Sequence, residues 1–174
     1  VITHFDSDHI GGAPYLLTHI PIKTIIDNGG YNPAFKDYAT YLKEHPKIFH
    51  ITGKDGQTIR LEDKLTLTVL HPNANTPRYP QENNNSIVVK LTYGTIDFLF
   101  TGDLEEIGET ALIQRHQKDI YCEVLKLGHH GSKTSSCEAF LNQVRPKVAI
   151  VSAGRHNHYH HPASSVVSRV NTHH

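Results

Sequence analysis

The sequence predicts an α/β fold, and three observations carry that reading. Short β-branched and aromatic runs at 22–26, 48–52, 58–61, 65–70, 86–93, 95–101, 122–127 and 148–152 have strand length. Stretches with helical spacing lie among them at 13–19, 32–45, 104–117 and 137–144, with a further helix from 163. His and Asp residues collect where strand-like runs stop, the place where layered α/β folds gather ligands. Apolar content of 37% suits a globular domain, and 174 residues are enough for one proper core.

The opening stretch THFDSDHIGG, residues 3–12, organises the rest. His4, Asp6, Asp8 and His9 put four metal-ligand types into six positions at a strand end that turns into a helix. In an extended segment His4, Asp6 and Asp8 point to one side, and the turn brings His9 beside them. Carboxylate with imidazole suits zinc, manganese or iron better than calcium. His and Asp are also ordinary turn residues, the plainer reading of the same letters.

Asp27-Asn28-Gly29-Gly30 closes the first internal strand with turn chemistry. The helix at 32–45 shows Phe35, Tyr38, Ala39 and Leu42 on one face and reads as packing. The runs 48–52, 58–61 and 65–70 read as a meander with short turns. A polar, proline-broken loop follows, 71–85, long enough to carry function. His71, at the strand end before it, reads as a capping or surface residue. The next two strands deliver Thr101-Gly102-Asp103 to a carboxyl end, where Asp103 is either a helix cap or a metal bridge.

The strand at 122–127 runs into GHHGSKTS, residues 128–135. Two imidazoles at a strand end, then hydroxyls and Lys133 before a helix, read as ligands plus a phosphate seat. The same string also reads as plain capping by Ser135 or Ser136 with Glu138 in the first turn. Asn157-His158-Tyr159-His160-His161-Pro162 follows the last strand.

No apolar run approaches the roughly 18 residues that span a bilayer. The 17 basic and 17 acidic residues cancel, so no net field advertises nucleic acid, although basic residues gather late in the chain. That late run also reads as a solvated face. Cys122 and Cys137 form no CxxC pair and point to a reducing compartment. Of the fifteen histidines, the terminal His173 and His174 read as the stub of an affinity tag.

HxDxDHIGG resembles the first motif of the metallo-β-lactamase superfamily, and Asp in place of the second His resembles its ComEC-type competence proteins. TGD, GHHGS and the NHYHHP string are similar to that family's later motifs, in the family's order and across nearly the whole chain. The resemblance implies a four-layer αββα sandwich. It also implies that 1–174 is a single, partial domain, lacking N-terminal strands and the last C-terminal ones. It implies two divalent transition metals, zinc or manganese, held by His4, Asp6, Asp8, His9, Asp103, His129 or His130, and His161, with Asp103 bridging. Asn84 and Asn85 fall where the family has an NNxS element near the metals and are expected to touch substrate or support ligands. His160 stands where the family usually has Gly.

The chemistry expected is phosphodiester hydrolysis by a metal-activated hydroxide. Asp8 would orient the water, and Ser132 and Lys133 would hold a phosphate. By resemblance the substrate is DNA, single-stranded or incoming, in bacterial DNA uptake. The chain itself would be a soluble domain attached to an inner-membrane channel. Two alternatives stand beside it: a stand-alone hydrolase of a small phosphodiester, phosphorylcholine ester or lactone, and a non-catalytic metal- or DNA-binding module.

Overall fold

The computed structural model describes residues 1–172, so the reading of His173 and His174 lies outside the described residues. Among the described residues, eight strands form two sheets. The larger has the order β3-β4-β5-β6-β7-β8: β3 (Thr58–Glu62), β4 (Leu65–His71), β5 (Val88–Tyr93), β6 (Ile96–Phe100), β7 (Val124–Lys126) and β8 (Val148–Ile150). β3 to β6 are antiparallel, as short turns allow. β6, β7 and β8 are parallel, and each parallel step is spanned by a helix, α4 (Glu106–His116) and then α5 (Glu138–Val144).

The smaller sheet pairs β1 (Thr24–Asp27) with β2 (Phe49–Thr52) in parallel, α3 (Lys36–Glu44) making the crossover. This corrects the expected meander. The run at 49–52 follows a helix rather than a hairpin turn, so it returns parallel to β1 and leaves β3 to open the large sheet. The helix expected at 32–45 is also divided. Asn32 Oδ1 accepts Ala34 N–H, a 3-10 turn covers Pro33–Phe35, and α3 begins at Lys36.

Three apolar clusters stack the elements into layers. Phe5, Ile10, Leu17, Ile25 and Tyr38 join β1 to α1 (Ser7–Ile10), α2 (Ala13–His19) and α3. Ile26, Leu67, Val69, Ile87 and Val89, with Ile51 against them, fill the space between the two sheets. Leu99, Leu112, Leu125, Phe140, Val144 and Val166 join the large sheet to α4, α5 and α6 (Ser164–Thr172). Strand alternation makes this possible: Val88 faces the helices while its neighbour Val89 faces the other sheet. The result is the α/β/β/α sandwich that the family resemblance implied.

Capping at both helices near the ligands comes from distant residues, which rules out the capping alternatives read for Asp103 and for Ser135 or Ser136. α4 begins at Glu106, so Asp103 does not cap it. Asn84 Oδ1 does, accepting the amides of Glu105 (3.1 Å) and Gly108 (3.3 Å) from a distant loop. At α5 neither Ser135 nor Ser136 caps; the buried Glu109 of α4 accepts the amides of Ser136 (2.5 Å) and Cys137 (2.9 Å). Those amides are therefore engaged by a carboxylate and do not form the phosphate seat that the sequence pattern suggested.

His71 is likewise no surface residue: it is 1% exposed. Arg115 donates to its Nδ1 at 3.0 Å, so its Nε2–H donates to Asn84 O at 2.8 Å, and Asp55 holds Arg115 at 3.1 Å. Burial, opposed by the Asn84 contact, lowers its pKa from 6.5 to about 4. Unfolded chains take up this proton below 6.5 while the folded chain resists to about 4, so stability present above that window is lost as pH falls through it. His71→Gln keeps a donor for Asn84 O. We expect the stability advantage of the wild type over this variant to shrink by about 3 kcal/mol across the window, read by urea unfolding; parallel pH profiles would contradict it.

Candidate metal centre

The ligand-bearing loops are fixed by backbone bonds before any side chain meets. Ile2 N–H donates to Ile26 O (2.8 Å) and Ile87 N–H to Thr3 O (2.9 Å), so the first residues lie extended between β1 and the start of β5. The chain stays extended only to Asp6, whose carbonyl accepts the amides of His9 and Ile10 at 3.0 Å as α1 begins. Asp8 and His9 thus come round on a helical turn, rather than Asp8 by strand alternation. Ile10, fully buried, anchors that turn.

Asp103 follows β6 through Gly102, whose φ is +56°. A Cβ there would lie 2.8 Å from the Ser86 Cβ and 3.0 Å from the Thr3 Cβ, so only glycine lets the two hydroxyl residues close over the loop. His129 and His130 follow β7, both left-handed at φ 47° and 56°. Such backbone costs about 1–2 kcal/mol per residue. Bonds from His129 N–H to Gly102 O (3.1 Å) and Ser132 N–H to His129 O (2.8 Å) hold it in place. His161 is set by Asn157, which accepts its N–H and donates to its carbonyl. His160 takes φ +55°, so the turn forms with histidine where the family usually has glycine.

These loops converge on one carboxylate. Asp103 is 3% exposed; Oδ1 lies 3.1 Å from His9 Nε2, and Oδ2 lies 3.5 Å from His130 Nε2 and 3.8 Å from His129 Nε2. Asp8 Oδ2 lies 3.0 Å from His130 Nε2 and 3.7 Å from His9 Nε2. Asp8, His9, Asp103 and His130 each offer a ligand atom, all within 4.8 Å of one another. Beside them, His4 Nε2 is 3.6 Å from Asp6 Oδ2, and the His4 ring centroid is 4.1 Å from that of His9. The His161 ring lies 5.7 Å from that of His129. Burial tends to raise the Asp103 pKa, but His9 and the other imidazoles outweigh it and the net shift is downward.

The donors fit a transition metal. His4 Nε2, His9 Nε2 and Asp103 Oδ1 are buried without a hydrogen-bond partner; His9 and Asp103 face each other without hydrogen-bond geometry. Polar atoms buried this way are costly unless a cation satisfies them. The far ring nitrogens are already engaged. Thr3 Oγ1 sits 3.1 Å from His4 Nδ1 and 3.2 Å from His9 Nδ1, and Ser86 Oγ 3.3 Å from His4 Nδ1. His130 Nδ1 donates to Ser152 O at 2.8 Å. With Nδ1 as the donor, each Nε2 keeps its lone pair for a metal, the usual arrangement of ligating histidines.

The other expected residues lie elsewhere. Asn84 and Asn85 are 0% and 2% exposed and hold backbone: Asn84 caps α4, and Asn85 closes the loop on Tyr79. Their burial leaves little surface for substrate, and Asn84 takes the supporting place that was the other expectation, through Glu105 beside His129. Ser132 is also buried, its hydroxyl 3.0 Å from Thr134 Oγ1. Lys133 is exposed and makes no hydrogen bond or ion pair among the described residues.

Thr3, Ser86 and Glu105 were not anticipated. Asn84 Nδ2 donates to Glu105 Oε2 (3.2 Å), and Glu105 Oε1 lies 3.4 Å from His129 Nδ1 and accepts Thr134 Oγ1–H at 3.0 Å. Thr3 opens the THFDSDHIGG stretch and Ser86 closes the Asn83-Asn84-Asn85-Ser86 run that fits the NNxS element, which is the signal the sequence offered for them. An apolar-walled cleft of about 370 Å³ opens beside Asp8, His130, Tyr159 and His161.

Residues 1–156 match the family model described as the metallo-beta-lactamase superfamily. The chain is 37% identical over 174 residues to ComE operon protein 3 of Bacillus subtilis, covering 99% of this chain and 22% of that protein. It is 34% identical over 176 residues to competence protein ComA of Neisseria gonorrhoeae, 99% of this chain and 22% of the relative. Recombination protein 2 of Haemophilus influenzae is 35% identical over 98% of this chain and 19% of its own length. The chain therefore spans about a fifth of the curated relatives it matches.

Thr3→Val removes the oxygen that both His4 and His9 address while keeping the shape. We expect it to weaken zinc or manganese binding by about 10–100-fold in calorimetric titration, with melting of the metal-free chain little changed. Unaltered metal affinity would remove Thr3 from the centre.

Proposed function

This chain belongs to the metallo-β-lactamase superfamily, with ComEC-type competence proteins as its relatives, and on that premise we propose that it is a metal-dependent phosphodiesterase that hydrolyses DNA during uptake. One observation carries the reading: Asp8, His9, Asp103 and His130 converge on the carboxyl ends of β6 and β7 beside a cleft of about 370 Å³. The names of the relatives supply the competence setting. Among the described residues no helix is long and apolar enough to cross a membrane, so attachment to a channel would come from other parts of such a protein.

His9, Asp103, Asp8 and His130 would hold one divalent ion, and His4 with Asp6 a second that shares Asp103; His129 and His161 flank the pair. Bound there, zinc or manganese would bring the pKa of water towards neutrality and offset phosphate charge. The chain's own residues do the rest. Asp103 fixes three imidazoles around one carboxylate. Asp8, more than half exposed at the mouth, is placed to accept a proton from water and to orient it. Ser152 and Thr3 hold the imidazoles of His130, His4 and His9 in the required tautomer. Lys133 is an exposed cation available to a neighbouring phosphate.

With manganese or zinc added, the chain is expected to cleave a single-stranded oligonucleotide. Asp103→Asn should lower that rate by roughly two to three orders of magnitude, the scale of losing one fixed electrostatic group. Absence of cleavage with zinc, manganese and magnesium would overturn the proposal, and so would a small chromogenic phosphodiester cleaved far faster than DNA.

A further inference from the structure

We propose that Tyr159 is a stacking platform for an unpaired base, and that Arg155 on the same loop takes the adjoining phosphate, so that the cleft receives single-stranded rather than duplex nucleic acid. This rests on the phosphodiesterase reading and names the substrate form for the same site.

The first observation is exposure with order. Tyr159 is 80% exposed, more than any other large apolar side chain among the described residues. It nonetheless lies almost parallel to His161, at 17° and 5.7 Å between centroids. Its loop is clamped by Asn157, which donates to Gly154 O and His161 O at 2.7 Å and accepts His161 N–H at 2.8 Å. An aromatic held flat on a rigid loop with one face to solvent meets the requirement for base stacking, which works with any base because each has a π-face.

The second is continuity. Tyr159 lines the same cleft as Asp8 and His130, together with Ala153 and Gly154. A base on the ring therefore leaves its phosphodiester within the cleft that reaches the candidate metal centre. Bases inside a duplex already stack on each other and cannot offer a free face, so this geometry selects an unpaired strand.

The third is charge. No acidic residue follows Glu138 in the sequence. Most other cations of this third are engaged: Lys147 pairs with Glu123, Arg169 donates to Ser136 O, and Arg145 lies over the Tyr121 ring. Arg155 is exposed and has no hydrogen bond or ion pair among the described residues. It stands two positions before the Asn157 clamp and four before Tyr159, an arrangement that suits a polyanion alongside an aromatic.

The test is fluorescence anisotropy of a short labelled oligothymidylate, in chelator so that nothing is cleaved. Tyr159→Ala is expected to weaken binding by about 5- to 150-fold, while Tyr159→Phe binds like the wild type. An abasic oligomer of equal length should bind wild type and Tyr159→Ala equally weakly. Arg155→Ala should lower the salt slope by about 0.7, the share of one phosphate contact. Wild-type affinity in Tyr159→Ala, an equal loss on the abasic oligomer, or tighter binding of duplex would overturn the proposal. Cleavage separates this from the phosphodiesterase reading. An unchanged KM in Tyr159→Ala alongside Asp103-dependent cleavage would sink the platform alone; absent cleavage with the binding pattern above would sink the hydrolase reading alone.

Discussion

A buried carboxylate surrounded by imidazoles is the constraint on which this structure turns. Asp103 is nearly sealed from water, yet three histidines address it and Asp8 approaches two of the same rings. A lone ion in such a place is strongly unfavourable unless paired. The fold meets that demand with backbone geometry: glycine at Gly102 admits Ser86 and Thr3, and Ser86 Oγ accepts the Asp103 amide at 3.0 Å. Consecutive left-handed residues at His129 and His130 turn both rings toward the acid. Local strain is thus concentrated where the chemistry is proposed, and the packing of the sheets and the helices against them pays for it.

Around this sits a set of groups that touch the rings from behind. Thr3, Ser86, Ser152 and Glu105 each address an Nδ1, and they come from four different parts of the chain. Glu105 is itself held by Asn84, whose backbone is held by His71, which is held by Arg115 and Asp55. The chain of contacts runs from the carboxyl end of β4 to His129 through buried and half-buried side chains. It links the stability of the fold to the orientation of a candidate ligand.

The metal-ligand types were legible because they are close in sequence or end a strand: His4 to His9 in one turn, Asp103 after β6, the histidine pair after β7. The α/β class was legible from strand-length apolar runs and helical stretches, while the layering came from the family resemblance. What sequence could not reveal depends on partners far away. A run such as 49–52 carries no mark of which strand it will join, and it joined β1. An asparagine in Asn83-Asn84-Asn85 looks like a turn residue, and only tertiary placement makes Asn84 the cap of α4. Serines before α5 look like caps until Glu109 arrives from another helix. A histidine ending a strand looks exposed until the helix carrying Arg115 covers it.

The central claim is that the Asp103 cluster is a metal centre, and elemental analysis of the tag-free chain after manganese or zinc loading and exhaustive dialysis tests it most directly. The account requires about two transition-metal ions per chain, lost in Asp103→Asn and in Asp8→Ala while circular dichroism shows the fold intact. A folded wild-type chain that retains no metal, or an Asp103→Asn chain that retains as much as wild type, would contradict it.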